Sequence, residues 1–351
     1  MDYIGSKLRL LDWIFDHLQR HLSRLKMSPA TSLFWDGCSG TGVVSIRACQ
    51  LGFPVVSSDI MAFPQHLVQG QVGLTQEQFQ EAGRLIDEAN CLPDVQGFFW
   101  HNYTAEGGRQ YFTPANALRI DAHRQFIAQV VDPLIQSYLY TALIEAVSRV
   151  SNTAGTHGAF LKEYKSRSFD PIFLRKESVC PGTVRALQGD ALKLAGTLGE
   201  DILYLDPPYT TRQYAPNYHL YETLVQKEDP VIKGVTGLPQ NYLRSDFCKG
   251  VPEVGDLVAH LLQATRARLV LISYSSDGTL PLDAMLTSMM RGFAHQSVEV
   301  QVLAQSRYRS AAGETPDVSL SQEYLREYLF IIEREDAGVL DLFRSEVPRP
   351  A

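Results

Sequence analysis

The stretch that most narrows the possible folds is SLFWDGCSGTGVVSIRACQLG, residues 32–52, followed at once by PVVSSD, residues 54–59. It reads as a strand, a glycine-rich turn, a helix and a second strand, the unit from which parallel sheets are built. Glycines at 37, 40 and 42 let the turn close tightly and let a ligand approach the backbone. The spacing is not the GxGxxG dinucleotide fingerprint, and no Lys-Ser/Thr pair follows to make a phosphate loop. A generic tight turn therefore remains open for this loop taken alone. Asp59 ends the second strand, where a carboxylate can accept hydrogen bonds from ribose hydroxyls, as in nucleotide-binding α/β folds.

A second strand end carries more chemistry. The apolar run ILYL leads into Asp206-Pro207-Pro208-Tyr209. Two prolines stiffen that turn and remove two backbone donors, which leaves the Asp206 carboxylate and the Pro207 carbonyl as acceptors at the edge where open α/β sheets bind ligands. An exocyclic amine donates two protons, so paired acceptors suit it and raise the lone-pair density on its nitrogen. Tyr209 offers a ring face on which a base can stack. The structural alternative is a rigid proline turn capped by an aspartate. Upstream, Gly189-Asp190 sets another carboxylate at a strand end, where a helix N-cap is the alternative.

The remaining pattern splits the chain. Leu8, Leu11, Ile14, Phe15, Leu18 and Leu22 recur at helical spacing near the N-terminus. From about Met61 to Cys180 helical periodicity dominates, in EQFQEAGRLIDEA, NALRIDAHRQFIAQV and PLIQSYLYTALIEAVSRV. Strand-like segments resume with TVRALQGDA, DILYLDPPY and RLVLISYSS, and SVEVQVLAQSRYR and EYLREYLFIIERE are expected to pair as an antiparallel hairpin around the loop AAGETPDVSLSQ. The expected fold is α/β, a Rossmann-like sheet built from residues 1–60 and 181–351 and interrupted by a mostly helical insertion at 61–180.

Composition excludes rather than selects. No stretch approaches the roughly 20 apolar residues a membrane helix needs, and the charged N-terminus argues for a cytoplasmic protein. Five scattered cysteines without a CxxC pair argue against zinc or a disulfide framework, and no metal is expected. A net charge of −7 does not favour nucleic acid, but binding depends on where basic groups sit. Two local basic stretches stand out: LKEYKSRSFDPIFLRK, with Lys165 and Arg167, and QSRYRS, with Arg307 and Arg309. A solvated mixed-charge face is the simpler account of each alone.

Taken together, Tyr3-Ile4-Gly5-Ser6-Lys7, DGCSGTG, Asp59, Gly189-Asp190, DPPYTTRQYAPNYHLYET and YSSDG resemble the D12-class, or alpha-group, DNA N6-adenine methyltransferases, closest to the adenine methylases that accompany type IIS restriction enzymes. The resemblance covers roughly residues 1–60 and 180–335. It implies a Rossmann-like S-adenosylmethionine-dependent methyltransferase fold acting on double-stranded DNA. Tyr3, Ser6 and Lys7 would line the methionine end of the cofactor, with Lys7 paired to its carboxylate. Asp36, Gly40 and Gly42 would cradle the methionine portion, Asp59 the ribose and Asp190 the adenine moiety. Asp206, Pro207, Pro208 and Tyr209 would carry the chemistry on a flipped-out adenine. Arg212, Gln213, Tyr214, Asn217, Tyr218 and His219 would meet DNA or that adenine, His219 being equally a structural histidine. The insertion, with Lys165 and Arg167, would recognise the target sequence, and Arg307 and Arg309 would contact the backbone.

One departure is Cys38, where family members usually carry a phenylalanine that packs on the cofactor. The cysteine leaves less apolar surface there but removes no group the reaction needs. A cognate restriction endonuclease encoded nearby is a further partner the resemblance allows. Adenine in RNA, N4 of cytosine, and a non-catalytic DNA-recognition subunit stay open as alternatives.

Overall fold

A computed structural model describes residues 5–208, 210–251, 253–292, 298–306 and 324–334. Tyr3, Tyr209, Arg307, Arg309 and the expected loop at 311–322 lie outside the described residues. The chain opens with α1 (Leu11–Leu25), β1 (Phe34–Asp36), α2 (Val43–Gln50), β2 (Pro54–Asp59) and α3 (Ala62–Gln69). Helices α4 (Gln76–Asn90), α5 (Phe98–Tyr103), α6 (Pro114–Ala128) and α7 (Pro133–Val150) follow. Then come β3 (Thr183–Gln188), α8 (Ala191–Leu194), β4 (Ile202–Leu205), α9 (Ala215–Val225), β5 (Ile232–Lys233) and β6 (Leu238–Pro239). The last elements are α10 (Glu253–Ala264), β7 (Leu269–Ser275), α11 (Leu282–Gly292), β8 (Val298–Ser306) and β9 (Tyr324–Glu333).

Seven strands form one sheet in the order β3-β2-β1-β4-β7-β9-β8. The first five are parallel, and β9 enters antiparallel between β7 and β8. The expected closing hairpin is therefore present. Strands β1, β4 and β7 are buried along their whole length, as parallel strands covered on both faces must be. Their side chains alternate between two cores: Phe34, Ile202, Tyr204, Leu269 and Leu271 face one side, and Trp35, Leu203, Leu205, Val270 and Ile272 the other. Helix α1 seals the first side with Ile14, Phe15, Leu18 and Leu22. Leu8 does not belong to that stripe. It is 65% exposed in a short 3-10 turn before α1, because Leu10 takes the inward position instead.

Helix α3 follows β2 directly, and the starts of α4 and α7 are capped locally. Thr75 and Gln78 form a reciprocal capping box on α4, and Asp132 caps α7 just ahead of Pro133. The closure of the helical segment is different from the expectation. The core of α4–α7 also takes Tyr218, Leu220, Tyr221, Leu224 and Val225 from α9, far beyond residue 180. Tyr103 Oη donates to the Gly237 carbonyl at 2.9 Å, and Tyr111 Oη to the Thr236 carbonyl at 3.2 Å. Residues 61–180 thus need α9 and the β5–β6 ribbon to complete their apolar interior.

A testable consequence is that residues 61–180 expressed alone lack a cooperative thermal transition, because the buried α9 aromatics, each worth about 3–5 kcal/mol when truncated, are missing. Extending the fragment cannot help unless it reaches α9. Circular dichroism melts decide it, and a sharp transition in the 61–180 fragment would contradict the shared core.

Candidate active site

In the sheet order, β1 neighbours β2 on one side and β4 on the other, so the chain changes winding direction between β1 and β4. Open α/β sheets leave a crevice at such a switch point, beyond the carboxyl ends of the strands. Here the glycine loop leaves β1 and the Asp206-Pro207-Pro208 turn leaves β4, on strands paired in parallel. Between them lies a cleft of about 880 Å³, partly open to solvent. Ser6, Lys7, Asp36, Cys38, Gly40, Asp59, Asp190, Asp206, Pro208, Gln213 and Tyr214 all line it.

Local bonds shape the glycine loop. The Trp35 indole donates to Ser58 Oγ at 2.9 Å, and Ser58 Oγ donates to the Gly37 carbonyl at 3.2 Å. Gly37 N–H reaches the Tyr204 carbonyl of β4 at 2.9 Å. A Cβ on Gly37 would stand 2.6 Å from Leu205 Cδ2, so any larger residue here would force the Leu205 side chain to shift. Gly42 has φ of 76° and leads directly into α2.

Four carboxylates converge. Asp36 is 1% exposed, and its Oδ2 accepts from Ser45 Oγ at 2.6 Å. Its Oδ1 has no hydrogen-bond partner among the described residues. Burial above all, and then the nearby Asp206 and Asp59, push Asp36 up to about 7 against the pull of the Ser45 hydrogen bond. Asp59 takes the Gly40 N–H on Oδ2 and the Met61 N–H on Oδ1, each at 3.0 Å, and burial raises it to about 6. Asp190 serves as N-cap of α8, accepting the Leu192 N–H at 3.0 Å, while also lining the cleft. Burial, with Asp59 next, keeps the Cys38 thiol raised well above its ordinary value, hence neutral.

Among the described residues, Lys7 meets this acidity. Its Nζ pairs with Asp206 Oδ2 at 2.7 Å and donates to the Gly5 carbonyl at 3.1 Å. Lys7 is 4% exposed, an unusual depth for a lysine. The resemblance gave Lys7 to a cofactor carboxylate; in this structure its ion partner is Asp206.

The loop after Asp206 divides the expected DNA-facing residues. Arg212 is exposed and Gln213 and Tyr214 are half-buried on the cleft wall. Tyr218 is 0% and His219 2% exposed, so both are core side chains rather than DNA contacts. Tyr218 packs against Phe63 and Tyr221, and His219 Nδ1 hydrogen-bonds with the Pro216 carbonyl at 3.0 Å. Burial holds His219 down at about 4, which keeps it neutral. Asn217 is likewise buried, with Oδ1 accepting from Arg212 at 3.2 Å and its carbonyl from His157 N–H at 2.8 Å. Arg167 is exposed on the helical module, and Lys165 is half-buried with its ammonium on the Thr153 carbonyl.

Sequence reading missed Ser245 and Phe247, which line the cleft from a turn after β6. Their only sequence signal is one phenylalanine in the polar stretch NYLRSDFCKG.

A bound methyl donor can be tested against these groups. The partnerless Asp36 oxygen suits a cationic ammonium, and the neighbouring strand-end carboxylates Asp59 and Asp190 suit ribose hydroxyls and an adenine amine. The residues present fit S-adenosylmethionine. Among the described residues no group of three or more His, Cys, Asp or Glu side chains could hold a metal ion. No helix among them is long and apolar enough to cross a membrane.

Comparison with known proteins agrees. The family model described as D12 class N6 adenine-specific DNA methyltransferase matches residues 3–276. The chain is 30% identical to the type II methyltransferase M.NlaIII of Neisseria lactamica over 344 residues, covering 95% of this chain and 99% of that protein. It is 29% identical to the type II methyltransferase M.CviAII of Paramecium bursaria Chlorella virus 1, covering 94% and 97%. Against the type II methyltransferase M.FokI of Planomicrobium okeanokoites it is 31% identical over 96% of its own length, but spans only 53% of that protein.

The raised Asp36 gives a pH prediction for the ligand-free chain. From 3.8 to about 7 the folded carboxyl holds a proton that the unfolded chain has released, so its contribution is fully present at low pH and is lost as pH rises through that window. Asp36→Asn should flatten the decline and stabilise the chain at pH 8 relative to wild type by on the order of 1–3 kcal/mol. Denaturant melts across that range check it, and parallel stability profiles for the two proteins would refute the assignment.

Proposed function

This chain belongs to the D12 class N6 adenine-specific DNA methyltransferase family, and from that premise we propose that it methylates adenine N6 at a specific site in double-stranded DNA as the modification enzyme of a restriction-modification system. The observation that carries this reading is the meeting of Asp206, on its proline-stiffened turn, with the glycine loop and Asp36 across one cleft. Bound S-adenosylmethionine supplies an electrophilic methyl group on a sulfonium that departs as a neutral thioether.

This chain's residues do the rest by positioning and fixed electrostatics. Asp36 holds the donor's ammonium, Asp59 its ribose and Asp190 its adenine edge, with Ser6, Gly40 and Gly42 framing the methionine end. On the acceptor side, the Asp206 carboxylate takes one N–H of the target amine and the Pro207 carbonyl the other. The nitrogen lone pair is thereby turned toward the methyl carbon, and the proton it sheds on methylation passes toward Asp206. Tyr209 stacks on the base, and Pro208 keeps the turn rigid. N6 of a stacked adenine is out of reach of that geometry, so the base must leave the duplex.

Arg212, exposed on the loop after Asp206, and Arg167, exposed on the helical module, supply phosphate contacts, as do Arg307 and Arg309, with Lys165 adding positive charge beside Arg167. The helical module reads the target sequence. A cognate endonuclease is the partner that such a modification enzyme protects against, and the cytoplasm is where both meet DNA.

Single-molecule sequencing of DNA from cells expressing the chain, beside an Asp206→Ala control, tests the proposal. The expected result is N6-methyladenine at one recurring motif, absent in the control. An unmodified genome from well-expressed, donor-binding protein would overturn it. In purified form, Asp206→Asn should lower the transfer rate by about 10²–10⁴-fold with little change in donor affinity.

A further inference from the structure

The segment between Asp206 and α9 leads from the reacting groups into the helix. Pro207 and Pro208 have no N–H to give. Thr210 and the residues after it form no regular element. Arg212 N–H donates to Thr210 Oγ1 at 3.3 Å and its guanidinium to Asn217 Oδ1 at 3.2 Å, while the other bonds described for residues 210–213 go to the turn at Ser245–Cys248. The Gln213 side chain donates from Nε2 to the Ser245 carbonyl at 3.0 Å and accepts the Ser245 N–H on Oε1 at 2.8 Å. Next to it, Cys248 Sγ contacts the Arg212 carbonyl at 3.5 Å. Ser245 Oγ in turn accepts the Phe247 N–H at 3.3 Å.

A carboxamide that meets both the N–H and the carbonyl of one residue copies the pairing of a β-ladder. It fixes the plane of the amide as well as its distance, and it uses one donor and one acceptor of the side chain at once. The sequence suggests Gln213 as a contact to DNA or to the extruded base. In this structure that amide is already committed to the protein. Gln213, Tyr214, Ser245 and Phe247 all line the cleft that holds Asp206.

We propose that Gln213 is a positioning residue for the methyl transfer, a latch that ties the loop bearing Asp206 to the Ser245–Cys248 turn and so holds the two as one wall of the cleft. It acts through Ser245 and the loop, not by touching the base. The proposal rests on the reading of Asp206 as acceptor of the target amine. With the latch broken, donor and DNA still bind, and the loop spends less time in the geometry that aligns the nitrogen. A small misplacement of that kind costs rate out of proportion to its size.

Three variants of the full chain test this: Gln213→Ala, Ser245→Pro and their combination. Ser245 has φ of −84° and ψ of 133°, which proline tolerates, and proline deletes the N–H that Gln213 accepts. Because it also removes the hydroxyl that accepts from Phe247 N–H, Ser245→Ala, which loses that hydroxyl alone, serves as the reference for the Ser245→Pro and double variants. Single-turnover methyl transfer, donor affinity by calorimetry and DNA affinity by anisotropy are measured with each, beside Asp206→Asn. Expected for each single variant is a rate lower by about 10–100-fold, with both affinities within about threefold, and no further loss in the double variant. Gln213→Glu adds a readout that a merely structural role would not move. Its carboxylate can accept from Ser245 N–H but must be protonated to donate to the carbonyl, so its rate relative to wild type should rise as pH falls from 8 to 6.

An unchanged rate in Gln213→Ala, a loss that appears in DNA affinity instead, or additive losses in the double variant would each overturn the latch. So would a Gln213→Glu to wild-type ratio that is flat with pH. Full activity in Asp206→Asn would be a different failure: it would remove the acceptor reading on which the latch depends.

Discussion

Two acidic side chains at the ends of adjacent parallel strands, Asp36 on β1 and Asp206 after β4, are the constraint to which the rest of the cleft answers. Carboxylates brought this close in a buried setting repel and lose hydration, a cost only partners can offset. Lys7 meets Asp206 at 2.7 Å with its own chain nearly sealed from solvent. For that, residues 5–7 must come over the carboxyl edge of the sheet before the chain descends into α1. Asp36 accepts from Ser45 on one oxygen, and its Oδ1 has no hydrogen-bond partner among the described residues.

The same edge links the cleft to the helical module. Glu222 of α9 accepts the N–H groups of Ala62 at 2.9 Å and Phe63 at 3.2 Å, capping α3 just after Asp59. Helix α9 begins where the Asp206 loop ends and finishes inside the module's core. One helix therefore touches the start of α3 just after Asp59, the loop after Asp206 and the core of the helical module. A kink at Tyr218, with φ of −131°, lets its first turn follow the loop while the remainder packs among aromatics.

Much of this was legible in the sequence, for physical reasons that differ by element. The β1–α2–β2 unit was readable because buried parallel strands are short apolar runs and the turn between them needs glycine. The termini of α7 were readable because Asp132 and Pro133 mark its start and its apolar pattern is unbroken. The terminal hairpin followed from β-branched and aromatic alternation. The module boundary was less legible, since YHLYET mixes polar and aromatic groups and looks like a contact surface. Whether Tyr218 and His219 face DNA or a core depends on α4–α7, which lie distant in sequence. The Ser245–Phe247 wall was silent for the same reason: its place is set by Gln213 across a loop, not by local pattern. Asp190 shows that the two readings of a residue need not compete, being both an N-cap and a cleft carboxylate.

The most direct test of this arrangement is the pH–rate profile of single-turnover methyl transfer by Lys7→Met against wild type. If the Lys7 ammonium keeps the Asp206 carboxylate available among its acidic neighbours, losing it lets that carboxylate take a proton more readily. The expected result is an acidic limb displaced to higher pH, with a neutral-pH rate down by about a hundredfold that recovers in part in alkali. Superimposable profiles for the two proteins would contradict the role assigned to the Lys7–Asp206 pair.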